Sequence, residues 1–188
     1  MKIAIGLIGE KRAGKSTFIK ILKEFLDPMT LEVVSSGEIL MNVLRLWHLE
    51  TTRANLQRLP VLMEIGFGPG ALTNAVYHTM ISKHASVVVF DGVRWHNDVQ
   101  MIQRFNKNLL VYITADARKR WKRSLLLQEK LGENTSSFKD FCNEEQASTE
   151  VFIPILGAGA NVKIVNNGTP ANFYRKINTF QKKIVEML

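Results

Sequence analysis

The chain has 188 residues, 46% of them hydrophobic and 22% charged, which fits one globular domain with a sizeable core. Its 25 lysines and arginines against 17 acidic residues give a net charge of +8, which suits a polyanionic partner, either a nucleotide or a nucleic acid. Cys142 is the one cysteine, so no intramolecular disulfide is possible, the four histidines lack metal-ligand spacing, and no apolar run approaches the ~20 residues of a membrane span; an intracellular, reducing, cytoplasmic setting is expected.

The chain opens on an apolar run, Ile3 to Ile8, with the β-branched enrichment of a buried strand. The run is short and has no cleavage site, so it reads as a strand and not as a signal peptide. Gly9, Gly14, Lys15 and Ser16 then spell G-x-x-x-x-G-K-S. Phe18, Ile21, Leu22, Phe25 and Leu26 follow at helical spacing. Strand, glycine-bearing loop and helix in that order are what a phosphate-binding P-loop requires. Glycines let the backbone N–H groups of residues 9–17, including those of Lys11, Arg12, Ala13 and Thr17, turn toward an anion. The helix N-terminus adds partial positive charge at the same place. Lys15 reaches the outer phosphates and the Ser16 hydroxyl ligates Mg²⁺, so ATP and Mg²⁺ are the expected cofactors.

A second strand is predicted at Leu31–Val34, followed by a helix bearing Leu40, Val43, Leu44 and Trp47, with Ser35 or Ser36 as its cap. Thr51 to Arg58 is polar enough to line a site or to form a surface helix. Gly66–Gly70 is a turn cluster, and a helix follows from Ala71. Ser86–Phe90 is an unbroken apolar run, a fully buried strand ending at Asp91-Gly92-Val93-Arg94. An acidic residue at the end of such a strand, beside a P-loop, holds Mg²⁺ or its water. Further strands are predicted at Leu109–Ile113 and Val162–Val165, and a last helix carries Phe173, Ile177, Phe180, Ile184 and Leu188. Five strands alternating with helices predict an α/β fold, a parallel sheet with helices on both faces and ligands at the C-terminal strand ends.

The longest excursion, Thr114 to Asn161, separates the fourth and fifth strands. It opens on Arg118-Lys119-Arg120-Trp121-Lys122-Arg123, passes through the polar stretch 132–136, and continues into a helix near Phe138 to Val151. A polar insertion on that side of a sheet is a lid candidate. Cys142 falls on this helix as a small, half-buried residue. Trp47, Trp95 and Trp121 read as packing residues, with Trp95 set apart because it follows Arg94 directly.

These motifs together resemble the P-loop nucleoside monophosphate kinase superfamily, which includes adenylate kinase, dephospho-CoA kinase and deoxynucleoside monophosphate kinases. Ser35-Ser36-Gly37-Glu38-Ile39-Leu40 resembles its (S/T)-G-D-x-L segment, and Asp91-Gly92-Val93-Arg94 resembles its D-G-x-R signature. Thr52–Gln57, the Gly66-Phe67-Gly68 turn and Ile164–Thr169 are similar to a dephospho-CoA kinase-like subgroup. The resemblance implies a three-layer αβα P-loop fold in a single domain over 1–188. Residues 35–85 are then the acceptor-nucleotide region and 115–150 the lid, inserted between strands four and five.

The same resemblance implies roles. Lys15 and the P-loop hold the donor phosphates, and Ser16 and Asp91 organise the metal. Arg94 binds the acceptor phosphate, Ser36 and Gly37 line the acceptor, and Arg120 and Arg123 reach the transferring phosphates from the lid. Asn166 and Gly168 lie where the donor adenine is held. Where adenylate kinases carry an arginine after the (S/T)-G-D-x-L segment this chain has Met41, so Arg45 or Arg53 is the expected substitute. An R-G-R-like lid run is replaced by Leu126, Leu127 and Gln128, which leaves Lys122 or Lys130 as other sources of lid charge. The expected activity is ATP-dependent phosphoryl transfer to a small-molecule nucleotide acceptor, a nucleoside or deoxynucleoside monophosphate. A dephospho-CoA kinase, phosphorylating a ribose hydroxyl with Asp91 as base, is the neighbouring reading. A nucleic-acid-associated ATPase and a non-catalytic nucleotide-binding module are readings of other classes. The first is disfavoured because basic and aromatic residues are not interleaved, and no N-K-x-D stretch supports a GTPase.

Overall fold

The computed structural model describes residues 2–126, 137–147 and 150–187, the Arg53 side chain apart. Its strands are β1 (Ile3–Ile8), β2 (Leu31–Val34), β3 (Val87–Asp91), β4 (Lys107–Thr114) and β5 (Val162–Val165). All pair in parallel, in the order β2-β3-β1-β4-β5. The sheet and its order are those of the α/β P-loop kinase fold expected from the sequence. β1 is the middle strand and is buried along its whole length, which is why it reads as continuous apolar sequence.

The first crossover, α1 (Lys15–Phe25), runs from β1 to the sheet edge at β2, and the chain then returns across β3 to β4 and β5. Right-handed crossovers therefore put α1 on one face and the later connections on the other. α9 (Pro170–Met187) joins α1, and the two interlock through Phe18, Leu22, Phe173, Ile177, Phe180 and Ile184 in one core. The Phe18 and Phe180 rings lie 5.5 Å apart. On the opposite face α4 (Ala71–Ser82), α5 (His96–Gln103) and α8 (Ile153–Ala158) bury Val76, Met80, Met101, Ile102 and Ile153 against Val88, Phe90 and Leu110.

α2 (Ser36–Leu46) and α3 (Arg53–Phe67) form a satellite with its own small core, Leu40, Leu44 and Leu59. Ser35 caps α2, its hydroxyl accepting from the Glu38 N–H at 3.1 Å. Thr52 caps α3 in the same way through the Asn55 N–H at 3.2 Å. The polar stretch 51–58 is thus the cap and first turns of a surface helix. Trp47 departs from its expected packing role: it is 56% exposed at the end of α2. Trp121 does pack, its ring 5.7 Å from that of Phe138.

The excursion between β4 and β5 holds α6 (Ala117–Leu126) and α7 (Phe138–Glu144) before α8. The helix expected over 138–151 is shorter than that, and a separate helix starts at Ile153. α7 ends at Glu144, and Pro154, lacking an N–H, sits at the start of α8, where that donor is not needed. Leu127, Gln128, Lys130 and the stretch 132–136 lie outside the described residues. Among the described residues no helix is long and apolar enough to cross a membrane.

Candidate active site

β1 ends at Ile8, and the loop that follows needs two of its glycines for separate reasons. A Cβ on Gly9 would lie 2.5 Å from the Ile113 carbonyl oxygen of the neighbouring strand β4. Gly14 has φ +113°, and a Cβ there would meet the Asn166 Nδ2 at 2.5 Å. Side chains at either place would push the loop off the sheet or strain it. Gly14 is also the N-cap of α1, so the loop delivers its residues to a helix N-terminus. Ser16 and Thr17 sit exposed in the first turn of α1.

Lys15 folds back over the loop. Its ammonium donates to the Gly9 carbonyl at 2.8 Å and to the Glu10 carbonyl at 3.3 Å. Burial pushes its pKa below the ordinary lysine value; the Asp91 carboxylate opposes that shift and Arg94 adds to it. Asp91 stands at the end of β3, in register with Leu7 of β1. Burial raises its pKa above the ordinary aspartate value, against the pull of Lys15 and Arg94. Its Oδ1 is buried with no hydrogen-bond partner. That orphaned oxygen, with the exposed Ser16 hydroxyl in the first turn of α1 after the adjacent strand, fits a Mg²⁺ ion held chiefly by phosphates and water. Among the described residues no cluster of three or more metal-ligating side chains offers an all-protein alternative.

Arg94 follows on the same turn. Its backbone N–H donates to Asp98 Oδ2 at 2.9 Å, that of Trp95 donates to the same oxygen at 3.1 Å, and the Thr73 hydroxyl donates to Oδ1 at 3.2 Å. Buried Asp98 therefore ties the 91–95 turn to α4. The Ser36 hydroxyl faces the same turn, 3.9 Å from where a Cβ on Gly92 would lie, and Gly37 opens onto empty space. Arg45 is not drawn in: it lies exposed on α2 and donates to Asn42 Oδ1 at 3.2 Å. Arg53 opens α3, its side chain outside the described residues. The Trp95 and Phe152 rings, both partly exposed, meet with centroids 6.1 Å apart beside this turn.

Arg120 and Arg123, expected to reach in from a lid, both lie on α6 and reach the P-loop through its backbone. Arg120 is buried, donating to the Ala115 carbonyl at 2.8 Å and the Lys11 carbonyl at 3.4 Å, and pairing in bidentate fashion with Glu145. Arg123 donates to the carbonyls of Arg12 at 3.2 Å, Ala13 at 3.4 Å and Asn166 at 2.7 Å. Asn166 is also spent on the loop: its Nδ2 donates to the Ala13 carbonyl at 2.9 Å. A Cβ on Gly168, one turn later, would meet Asn172 at 2.9 Å.

Several contributors carried no motif. Glu10 is buried inside the P-loop, its Oε1 accepting from the hydroxyls of Tyr112 and Thr114. Glu144, Glu145 and Glu150 pair with Lys11, Arg120 and Arg94 respectively. The sequence offered no signal for the first two, which fall in the middle of the helix expected over 138–151.

No protein-family profile matches the chain. It is 27% identical over 122 residues to a UPF0200 protein of Hyperthermus butylicus, a match spanning 65% of this chain and 63% of that protein, under two thirds of its length. A UPF0200 protein of Staphylothermus marinus is 25% identical over 191 residues, covering 99% of this chain and 95% of that one. Among solved structures, the shikimate kinase from Bacteroides thetaiotaomicron superposes with a TM-score of 0.66 over 98% of both chains, at 13% identity. At that identity the likeness carries the fold, and the fold is that of the P-loop kinases to which the nucleoside monophosphate kinases belong.

Proposed function

We propose that this protein transfers the terminal phosphoryl group of Mg²⁺·ATP to a nucleoside or deoxynucleoside monophosphate. The supporting observation is convergence: Lys15 at the P-loop, Asp91 and Arg94 at the end of β3 and on the turn after it, and Arg120 on α6 come from three segments, yet the other three all act electrostatically on the Lys15 ammonium at one edge of the sheet. Two phosphate groups that repel each other must be held in line and near contact, about 3–3.5 Å between reacting atoms. Cations between them offset that repulsion, and arginine suits the task because its planar fork pairs with phosphate oxygens and stays charged. In this reading the P-loop N–H groups and Lys15 hold the donor phosphates. Ser16 and Asp91 hold Mg²⁺, which neutralises charge on the bridging oxygens when bound. Arg94, fixed by Asp98, takes the acceptor phosphate, and Ser36 and Gly37 line the space for its sugar or base. Trp95 and Phe152, their rings tilted by 49° to each other, give an apolar corner on the acceptor side.

One observation favours a second reading, a hydroxyl acceptor. Burial raises the basicity of Asp91, which suits a carboxylate that accepts a proton from an attacking hydroxyl. The structural neighbour, a shikimate kinase by name, has such an acceptor. An ADP-release screen with ribo- and deoxynucleoside monophosphates, dephospho-CoA and shikimate separates the two. Turnover with a monophosphate supports the first reading. Turnover confined to dephospho-CoA or shikimate replaces it with the second, and ADP release independent of every acceptor removes both.

A further inference from the structure

Three cations of the proposed site come from three parts of the chain: Lys11 from the P-loop, Arg94 from the turn after β3, and Arg120 from α6. Each is paired with a glutamate, and all three glutamates lie between 144 and 150. Glu144 ends α7 and pairs with Lys11 at 2.9 Å; Glu145 is its C-cap and holds Arg120; Glu150 holds Arg94. Carboxylates at a helix C-terminus face the negative end of the helix dipole. That arrangement is offset here by the cations opposite. Phe141 of α7, buried, lies under two of them, its centroid 5.7 Å from the Arg120 guanidinium and 5.9 Å from the Lys11 ammonium.

A guanidinium fork that grips a carboxylate with both nitrogens has no fork left for a phosphate. Arg120 retains the Ala115 and Lys11 carbonyls either way, so Glu145 is the partner it must exchange. Carboxylate and phosphate therefore compete for the same donors. Taking the phosphate site as proposed above, we infer that Glu145 and Glu150 form a carboxylate latch: they stand in for substrate phosphates and must be displaced for both substrates to be gripped. Since Glu145 faces the donor side and Glu150 the acceptor side of one short segment, displacement by one substrate loosens the other cation. The latch then favours the doubly occupied site over ATP with water, and so determines specificity against hydrolysis.

The test is calorimetric titration at fixed ionic strength with Mg²⁺·ATP and, as a base-free probe, sodium tripolyphosphate. Glu145→Gln keeps the shape and removes the charge; it should bind both probes more tightly, on the order of fivefold or more, because the pair it breaks is largely buried. Glu144→Gln should change affinity by less than about twofold, because its pair is at the exposed rim. With Mg²⁺·ATP alone, Glu145→Gln and Glu150→Gln should hydrolyse ATP faster than the parent protein. Unchanged or weaker binding of both probes by Glu145→Gln overturns the latch. Should that variant fail to fold, Phe141→Leu, which loosens α7 and takes the ring from beneath Arg120 and Lys11 while leaving every charge in place, must give the same tightening or the latch is likewise overturned. Lys15→Met reports separately on the parent reading: if Mg²⁺·ATP still binds it as well, the phosphate site itself is misplaced, whatever the glutamates do.

Discussion

The Asn166 carboxamide donates to the Ala13 carbonyl at 2.9 Å, joining the end of β5 to the loop after β1. Arg123 clamps the same junction, donating to Ala13 and to the Asn166 carbonyl. The floor of the P-loop is thus held from beneath by residues whose motif position suggested direct contact with nucleotide. Asn166→Ala removes the shorter of the two bonds to the Ala13 carbonyl in a buried setting. It should cost about 1–3 kcal/mol of stability. For a chain of this size that is a fall in melting temperature of about 2–4 °C per kcal/mol. Mg²⁺·ATP affinity should fall with it as the loop loosens. Thermal denaturation with and without nucleotide measures both, and an unchanged affinity would return Asn166 to a purely structural part.

Lys15 sits where its charge is disfavoured. Burial lowers its pKa below 10.5 despite the nearby Asp91 carboxylate. A lysine whose folded pKa is depressed binds its proton less readily in the folded than in the unfolded state. The resulting penalty is in full force below the folded value and is relieved as pH rises through it toward 10.5. Lys15→Met should therefore raise the melting temperature of the nucleotide-free protein at neutral pH, with the advantage shrinking toward pH 10.5, while abolishing turnover and Mg²⁺·ATP binding. Near-normal turnover in this variant would remove the kinase reading.

Asp91 carries the opposite sign. Its folded pKa is raised above 3.8 by burial, as is that of Asp98. Stability associated with each group is fully present below 3.8 and is lost as pH rises through the folded value. Asp91→Asn takes one of the two out of this balance. Its melting temperature, relative to the parent protein, should climb as pH goes from 3.8 to neutrality, and its Mg²⁺-dependent turnover should vanish. A constant difference across that range would mean that Asp91 is not strained by burial.

The sheet was legible because its strands are buried on both faces, so β1 and β3 appear as unbroken apolar runs and need no periodicity to be seen. The P-loop was legible because its glycines answer to backbone demands, the Ile113 carbonyl against Gly9 and the positive φ of Gly14. Asp91 was legible as the acidic end of an apolar strand, and Arg94 through the D-G-x-R resemblance; that strand does pair with β1. What stayed hidden depends on contacts between distant segments. Glu145 and Arg120 are 25 positions apart, and Glu150 and Arg94 are 56 apart. Nothing local marks an exposed-looking glutamate as the partner of a buried arginine. Arg123 and Asn166 were found by residue type and position, but their contacts to the loop backbone were not. Their residue types suit a phosphate or a purine, whereas the structure turns them toward backbone carbonyls.

Arg94 gives the sharpest division between donor and acceptor. Its backbone is pinned by Asp98, which is itself anchored to Thr73 of α4, so in the proposed reading its side chain serves the acceptor although it stands three residues past β3. Removing it should leave the P-loop, Lys15 and the floor under Ala13 intact. Arg94→Ala should raise the acceptor KM and lower kcat, together costing on the order of 10²–10³ in kcat/KM for the acceptor, the scale of losing one charge-stabilising donor. Mg²⁺·ATP affinity should stay within about twofold, or tighten slightly as the grip of Glu150 on the site is lost. Arg94→Lys should recover little, because a single ammonium cannot reproduce the two parallel hydrogen bonds of the guanidinium fork. Steady-state kinetics with each substrate varied at saturation of the other separates these effects. A change confined to Mg²⁺·ATP affinity would mean that the two sites are exchanged, with the acceptor on the P-loop side of Asp91.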